Sequence, residues 1–280
     1  MPSRILLALA AGTLILFTTG CDKLKSRDHL NQGVAAYKSA KYGDAVEHFK
    51  QALALDPDSP NARVYLATAY MIQWIPGADS PENNEFARKA KEEFINVLNK
   101  DQNDKTALAY LASLAFNQAS SLPPDKRIEK FDEASSWNHK LIAVDPKNKE
   151  AYYNLGVIAW TKWHPALMQA RATARMKPED PGPLTDKKGK EQLRAQYSGI
   201  VEEGIQNLRK AIEIDPNYDD AMAYINLLIR ERADLLDNKE EYNKQIAEAD
   251  AFLARALEAK KAKALAAEKA AQSGAITQDK

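Results

Sequence analysis

The 280-residue sequence predicts an all-α protein built as an array of antiparallel helix pairs. Three observations lead there. One junction recurs along the chain, as Leu55-Asp56-Pro57, Lys100-Asp101-Gln102, Val144-Asp145-Pro146 and Ile214-Asp215-Pro216, each followed by an alanine six residues after the Asp: Ala62, Ala107, Ala151 and Ala221. Proline after Asp cannot continue a preceding helix, so the chain must turn at these places. Between the junctions, apolar and small residues recur at helical spacing, as in Ala45, Phe49, Ala52 and Leu53, or Ala90, Phe94, Val97 and Leu98. Composition agrees: 45% hydrophobic residues give a core, while 11 Gly and 13 Pro are too few for a disordered or collagen-like chain.

The elements follow in order. Arg4, the apolar run Ile5 to Phe17 and the small residues Thr18, Thr19 and Gly20 have the order of a secretory leader over residues 1–20. At about 1.5 Å per residue the run covers about 20 Å, short of the roughly 30 Å hydrocarbon core, so a permanent spanning helix is disfavoured. Cys21 is the single cysteine and has no disulfide partner within the chain. Leu16-Phe17-Thr18-Thr19-Gly20-Cys21 resembles the lipobox of bacterial lipoproteins, with Thr18 where that family usually has Leu. The resemblance implies cleavage before Cys21, its acylation, residues 21–25 as a short tether, and a body facing the periplasm or exterior of a bacterial cell envelope. Asp22 looks like the inner-membrane retention signal of enterobacterial lipoproteins, and the choice between inner and outer membrane stays open. An ordinary leader, or an uncleaved anchor, with an incidental cysteine is the plain alternative.

Helix pairs are expected from residue 26 to residue 261. The second helix of the first pair is Tyr42-Gly43-Asp44-Ala45-Val46-Glu47-His48-Phe49-Lys50-Gln51-Ala52-Leu53; Ser80-Pro81-Glu82 reads as a cap with proline in the first turn, and Pro123-Pro124-Asp125 as a connector. In the fourth pair, residues 164–199 form an insertion. Pro165 and Pro178-Glu179-Asp180-Pro181-Gly182-Pro183 bracket an extra short helix, Ala166 to Lys177, and a long helix follows from Thr185 to Ile214. The Ala- and Lys-rich tail, residues 262–280, extends the last helix to about Ala271 and frays beyond Gln272.

Gly33, Tyr42, Ala45, Phe49, Ala52 and Pro57 stand at consensus places of the tetratricopeptide repeat, and Leu155-Gly156 with Leu208, Ala211 and Pro216 matches it again. The resemblance implies about five units in a right-handed superhelical solenoid, several with longer helices than the family's. It also implies a concave groove lined by the first helix of each unit, here Tyr37, Met71, Phe116, Asn117, Tyr153, Trp160 and Arg230.

Chemistry is sparse. His29, His48, His139 and His164 form no pair at helix-face spacing, glycines are too dispersed for a phosphate loop, and Cys21 sits at the processing site. No catalytic residue, metal or cofactor is expected. With 39 basic residues cancelling 39 acidic ones, no nucleic-acid partner is expected either. The sequence points to a membrane-anchored scaffold for a protein or peptide partner in assembly of an envelope complex, through an apolar and aromatic groove. The alternative is a module for envelope polysaccharide or anionic lipid that uses the basic insertion, where Arg171, Arg175, Lys177, Lys187, Lys188, Lys190 and Arg194 outnumber Glu179, Asp180, Asp186 and Glu191.

Overall fold

The computed structural model describes the backbone of residues 3–276 and the side chains of residues 21–123 and 126–270. The first two residues of the leader and the last four of the tail lie outside the described residues. All regular structure among them is helical, in two compact units, residues 1–137 and 138–280, whose boundary falls inside a helix.

The first unit holds α1 (Ser3–Lys38), α2 (Tyr42–Leu55), α3 (Pro60–Gln73), α4 (Pro81–Lys100), α5 (Lys105–Ser121) and the start of α6 (Pro124–Val144). Packing runs along the chain, α1 on α2, α2 on α3, α3 on α4, and α4 on α5. The second unit holds α7 (Lys149–Thr173), α8 (Lys187–Ile214), α9 (Asp219–Ala233) and α10 (Lys239–Ile276), with α8 on α7 and α9, and α10 on α9.

The recurring junction is one turn used four times. Ser59 N–H donates to Asp56 O, Asp104 to Asp101, Asn148 to Asp145 and Tyr218 to Asp215, at 3.0–3.1 Å. This is a β-turn with Pro, or Gln102, in its second place. The carboxylates of Asp101 and Asp215 also accept from the backbone N–H two residues on, closing an Asx turn. The next helix is capped at once: Asp104 accepts from Ala107 N–H at 2.7 Å and Asn148 from Ala151 N–H at 2.9 Å.

Within a pair, the two helices meet where one has no side chain. A Cβ on Gly33 would lie 2.5 Å from the fully buried Phe49, and one on Gly156 would lie 2.3 Å from the fully buried Leu208. Phe49 and Phe94 then stack on Tyr65 and Tyr110 of the following helix, at 5.5 and 5.0 Å between centroids. In the second unit the core gathers Trp163, Leu167, Leu184, Ile205, Leu208 and Met222.

Three expectations are corrected. Residues 21–25 are no tether but part of α1, because Asp22-Lys23-Leu24-Lys25 contains no helix breaker and Ser26 is buried, its hydroxyl donating to Ala52 O at 2.8 Å. Ala166 to Lys177 is no separate helix: α7 runs through Pro165 to Thr173, since Trp163, Leu167 and Arg171 are buried on both sides of the proline and tertiary packing overrides the lost bond. Arg175, at φ 57°, ends that stretch, with Met176 N–H donating back to Arg171 O in a Schellman closure. The last helix also continues beyond Ala271, to Ile276.

Candidate partner-binding face

Tyr153 and Trp160 stand seven residues apart on α7, two helical turns, and so share one face. The turn into α9 and its second turn supply Tyr218 and Tyr224. The rings form a continuous run: Tyr218 to Tyr153 is 5.1 Å, Tyr153 to Tyr224 5.7 Å, Tyr224 to Trp160 5.6 Å, and Trp160 to His164 4.6 Å between centroids. All are half-buried, their inner edges resting on the core.

Charged groups close both ends. The Lys149 ammonium lies 5.0 Å over the Tyr218 ring and 2.6 Å from the Asp215 carboxylate. At the far end Glu231 Oε1 accepts the Trp160 indole N–H at 3.0 Å and meets His164 Nδ1 at 2.7 Å. Glu231 is only 9% exposed, and its Oε2 is buried without a partner. The bond to Glu231 holds the His164 imidazolium above the usual histidine range. Burial, and then neighbouring carboxylates and phenols, push the hydroxyls of Tyr153, Tyr218 and Tyr224 up, that of Tyr218 to about 12, and Asp220 contributes at all three.

The structure brings Tyr153 and Trp160 together and leaves the other expected groove residues in separate settings. Arg230 is ion-paired with Asp250 of α10. In the first unit Tyr37 meets Tyr42 edge-on at 5.3 Å, Met71 packs on the cluster of buried Trp74 and Leu114, Phe116 meets buried Phe131 at 5.6 Å, and the Asn117 amide donates to Ser113 at 3.4 Å. Trp163 is fully buried and belongs to the core. Sequence reasoning missed Tyr218, Tyr224 and Glu231; the recurring tyrosine nine residues after the junction Asp, present as Tyr65, Tyr110 and Tyr224, was the available signal for one of them.

The basic insertion is tied into the fold. Arg171, 4% exposed, is paired with Asp234, 5% exposed, and also donates to Lys177 O and Asp180 O. Buried Lys190 donates to Leu236 O at 3.0 Å and Asp237 at 2.8 Å, and Arg194 bonds Leu235 O and Asp237. The four remaining bases, Arg175, Lys177, Lys187 and Lys188, equal the insertion's four acids in number, and Asp234 and Asp237 offset all but one of the three surplus charges.

His29 and His48 come together across α1 and α2, with ring centroids 5.8 Å apart. Cys21 is exposed. Among the described residues no group of three or more His, Cys, Asp or Glu side chains is placed to hold a metal ion, and no helix is long and apolar enough to cross a membrane.

Antiparallel helix pairs stacked in sequence order, with one turn at each junction and a glycine seated on a large apolar side chain, define a helical-repeat protein. Residues 33–73 match the family model described as TPR repeat, so the first helix pairs of the chain carry a tetratricopeptide repeat. Among solved structures it is similar to MamA residues 41 to the end from Desulfovibrio magneticus RS-1, with 14% identity, 85% of this chain and 96% of that one covered, and TM-score 0.52. A MamA RS-1 double mutant is similar at 15% identity, with 85% and 96% covered and TM-score 0.54. At these identities the likeness is one of fold. No curated protein sequence matches the chain. Stacked helix pairs of this kind present extended surfaces of the sort that helical-repeat proteins use for binding.

Proposed function

We propose that this protein is an exported, lipid-anchored scaffold of the bacterial cell envelope that holds a protein partner on the aromatic face of α7 and α9 and serves assembly of an envelope complex. The observation that carries the reading is the unbroken run from Tyr218 to His164, whose rings are half-buried. Large rigid aromatic surfaces of this kind anchor protein interfaces at low entropic cost. The anchor rests on Cys21, the single cysteine, exposed and following the apolar leader. Cleavage before it leaves residues 21–38 as the first helix of the first pair. Diacylation supplies the second chain that a stable anchor needs.

The test is affinity purification of the full-length protein from detergent-solubilised membranes of its host, beside a folded Tyr153→Ala, Trp160→Ala double variant, with mass spectrometry of what co-purifies. A partner set lost in the double variant is expected; an unchanged set would remove the α7–α9 face from the function. Cys21→Ser is expected to abolish lipid labelling and membrane retention, and unchanged fractionation would remove the anchor.

A further inference from the structure

The charge around the aromatic run defines what sits on it. Five carboxylates border the rings: Glu150, Asp215, Asp219 and Asp220 oppose ionisation of the phenols, and Glu231 binds Trp160. Three cations answer them, Lys149 on Asp215 and Glu150, Lys263 on Asp219 and the His164 imidazolium on Glu231, leaving a local excess of two negative charges. Asp220 is exposed and, among the described residues, has no ion-pair partner, although it acts on Tyr153, Tyr218 and Tyr224 alike. The chain as a whole is formally neutral, so this excess is a property of the face.

The rings add to the same sign. An aromatic face is the negative part of its quadrupole and attracts ammonium or guanidinium groups within about 6 Å of the centroid. One such contact is already made, by Lys149 on Tyr218 with Asp215 behind it. The next rings along are Tyr153 and Tyr224, and Asp220 stands one helical turn before Tyr224 on α9, its charge opposing ionisation of both phenols.

We infer that this face seats a cationic segment of the partner, one that lays arginine or lysine side chains on the rings of Tyr153 and Tyr224 beside Asp220. The inference rests on the reading of the α7–α9 face as the partner-binding one. An anionic segment is repelled there, and a purely apolar one leaves Asp220 partly desolvated without compensation.

The experiment is fluorescence anisotropy on the full chain with three labelled peptides of equal length: alternating Arg and Ser, alternating Glu and Ser, and alternating Leu and Ser. The Arg peptide is expected to bind tightest and to weaken as salt rises. Two substitutions separate charge from apolar contact. Tyr224→Leu keeps an apolar side chain but loses the π face, and Asp220→Asn keeps the shape but loses the charge; each is expected to weaken the Arg peptide about five-fold. Equal or tighter binding of the Glu or Leu peptide, or an Arg-peptide affinity indifferent to both substitutions, overturns the inference. If the Leu peptide binds best and is lost in Tyr153→Ala, Trp160→Ala, the cationic seat falls while the partner-binding face stands. If the partner set captured from membranes is also unchanged by that double variant, both fall.

Discussion

His164 reports the electrostatics of the face directly. Its Nδ1 lies 2.7 Å from Glu231 Oε1 and its ring stacks on Trp160, so folding favours the imidazolium and the folded pKa stands above the unfolded value. The stabilisation is therefore complete below about pH 6.5, the unfolded value, and is lost as pH rises through the folded one. Thermal midpoints of the protein and of His164→Gln, measured across that range, are expected to differ most on the acid side and to converge at alkaline pH; a constant gap would mean that the ring acts by packing alone. Two glycines make a sharper pair. Gly199 lies exposed within α8 with nothing within 4 Å of an added Cβ, so Gly199→Ala is expected to stabilise by about 0.5–1 kcal/mol through the unfolded chain. Gly156→Ala gains the same helix term but places Cβ 2.3 Å from Leu208 Cγ, the branch point of a fully buried side chain. Overpacking of about 1–3 kcal/mol then prevails, and urea unfolding should show opposite signs for the two substitutions.

Between α7 and α8 the chain makes its longest departure from the repeat, and Arg171 with Asp234 holds it to the end of α9. Burial pushes the Asp234 carboxyl up even though Arg171 opposes this, which marks the pair as costly to desolvate and costlier to break. Arg171→Met leaves Asp234 buried without its cation and is expected to destabilise the second unit by about 3–5 kcal/mol, read by denaturant unfolding and by new proteolysis within residues 176–186. The double variant Arg171→Met, Asp234→Leu should recover most of that loss, because it removes both charges. How legible each element is in the sequence follows from the range of the forces that make it. The four junctions are readable because Asp, Pro and the cap act within a few residues of one another. Pro165 misleads because a local rule, proline stops helices, competes with burial of Trp163, Leu167 and Arg171 against distant elements. The aromatic face was half readable for the same reason: Tyr153 and Trp160 share a helix, whereas Tyr218, Tyr224 and Glu231 reach it only when α9 packs on α7. Nothing local signals the approach of His29 to His48 or the internal use of the basic insertion.

Among the described helices, packing joins each to the next one or two in sequence, and each compact unit is held by its own contacts. In such an array, stability is a sum of local and nearest-neighbour terms, so damage should stay near where it is made. Phe49 is the test. It is fully buried between Gly33 of α1 and Tyr65 of α3, and Phe49→Ala removes both contacts, at about 3–5 kcal/mol. Hydrogen exchange is expected to accelerate over α1 to α3 and to keep its rates over α7 to α10, where Leu208 fills the corresponding place on Gly156. Acceleration throughout would instead mean one cooperative molecule. The outcome bears on function, because a partner face on α7 and α9 that is stable independently of the first unit should keep its affinity for the Arg peptide in Phe49→Ala. Loss of that affinity with the second unit still protected from exchange would overturn the independence of the face.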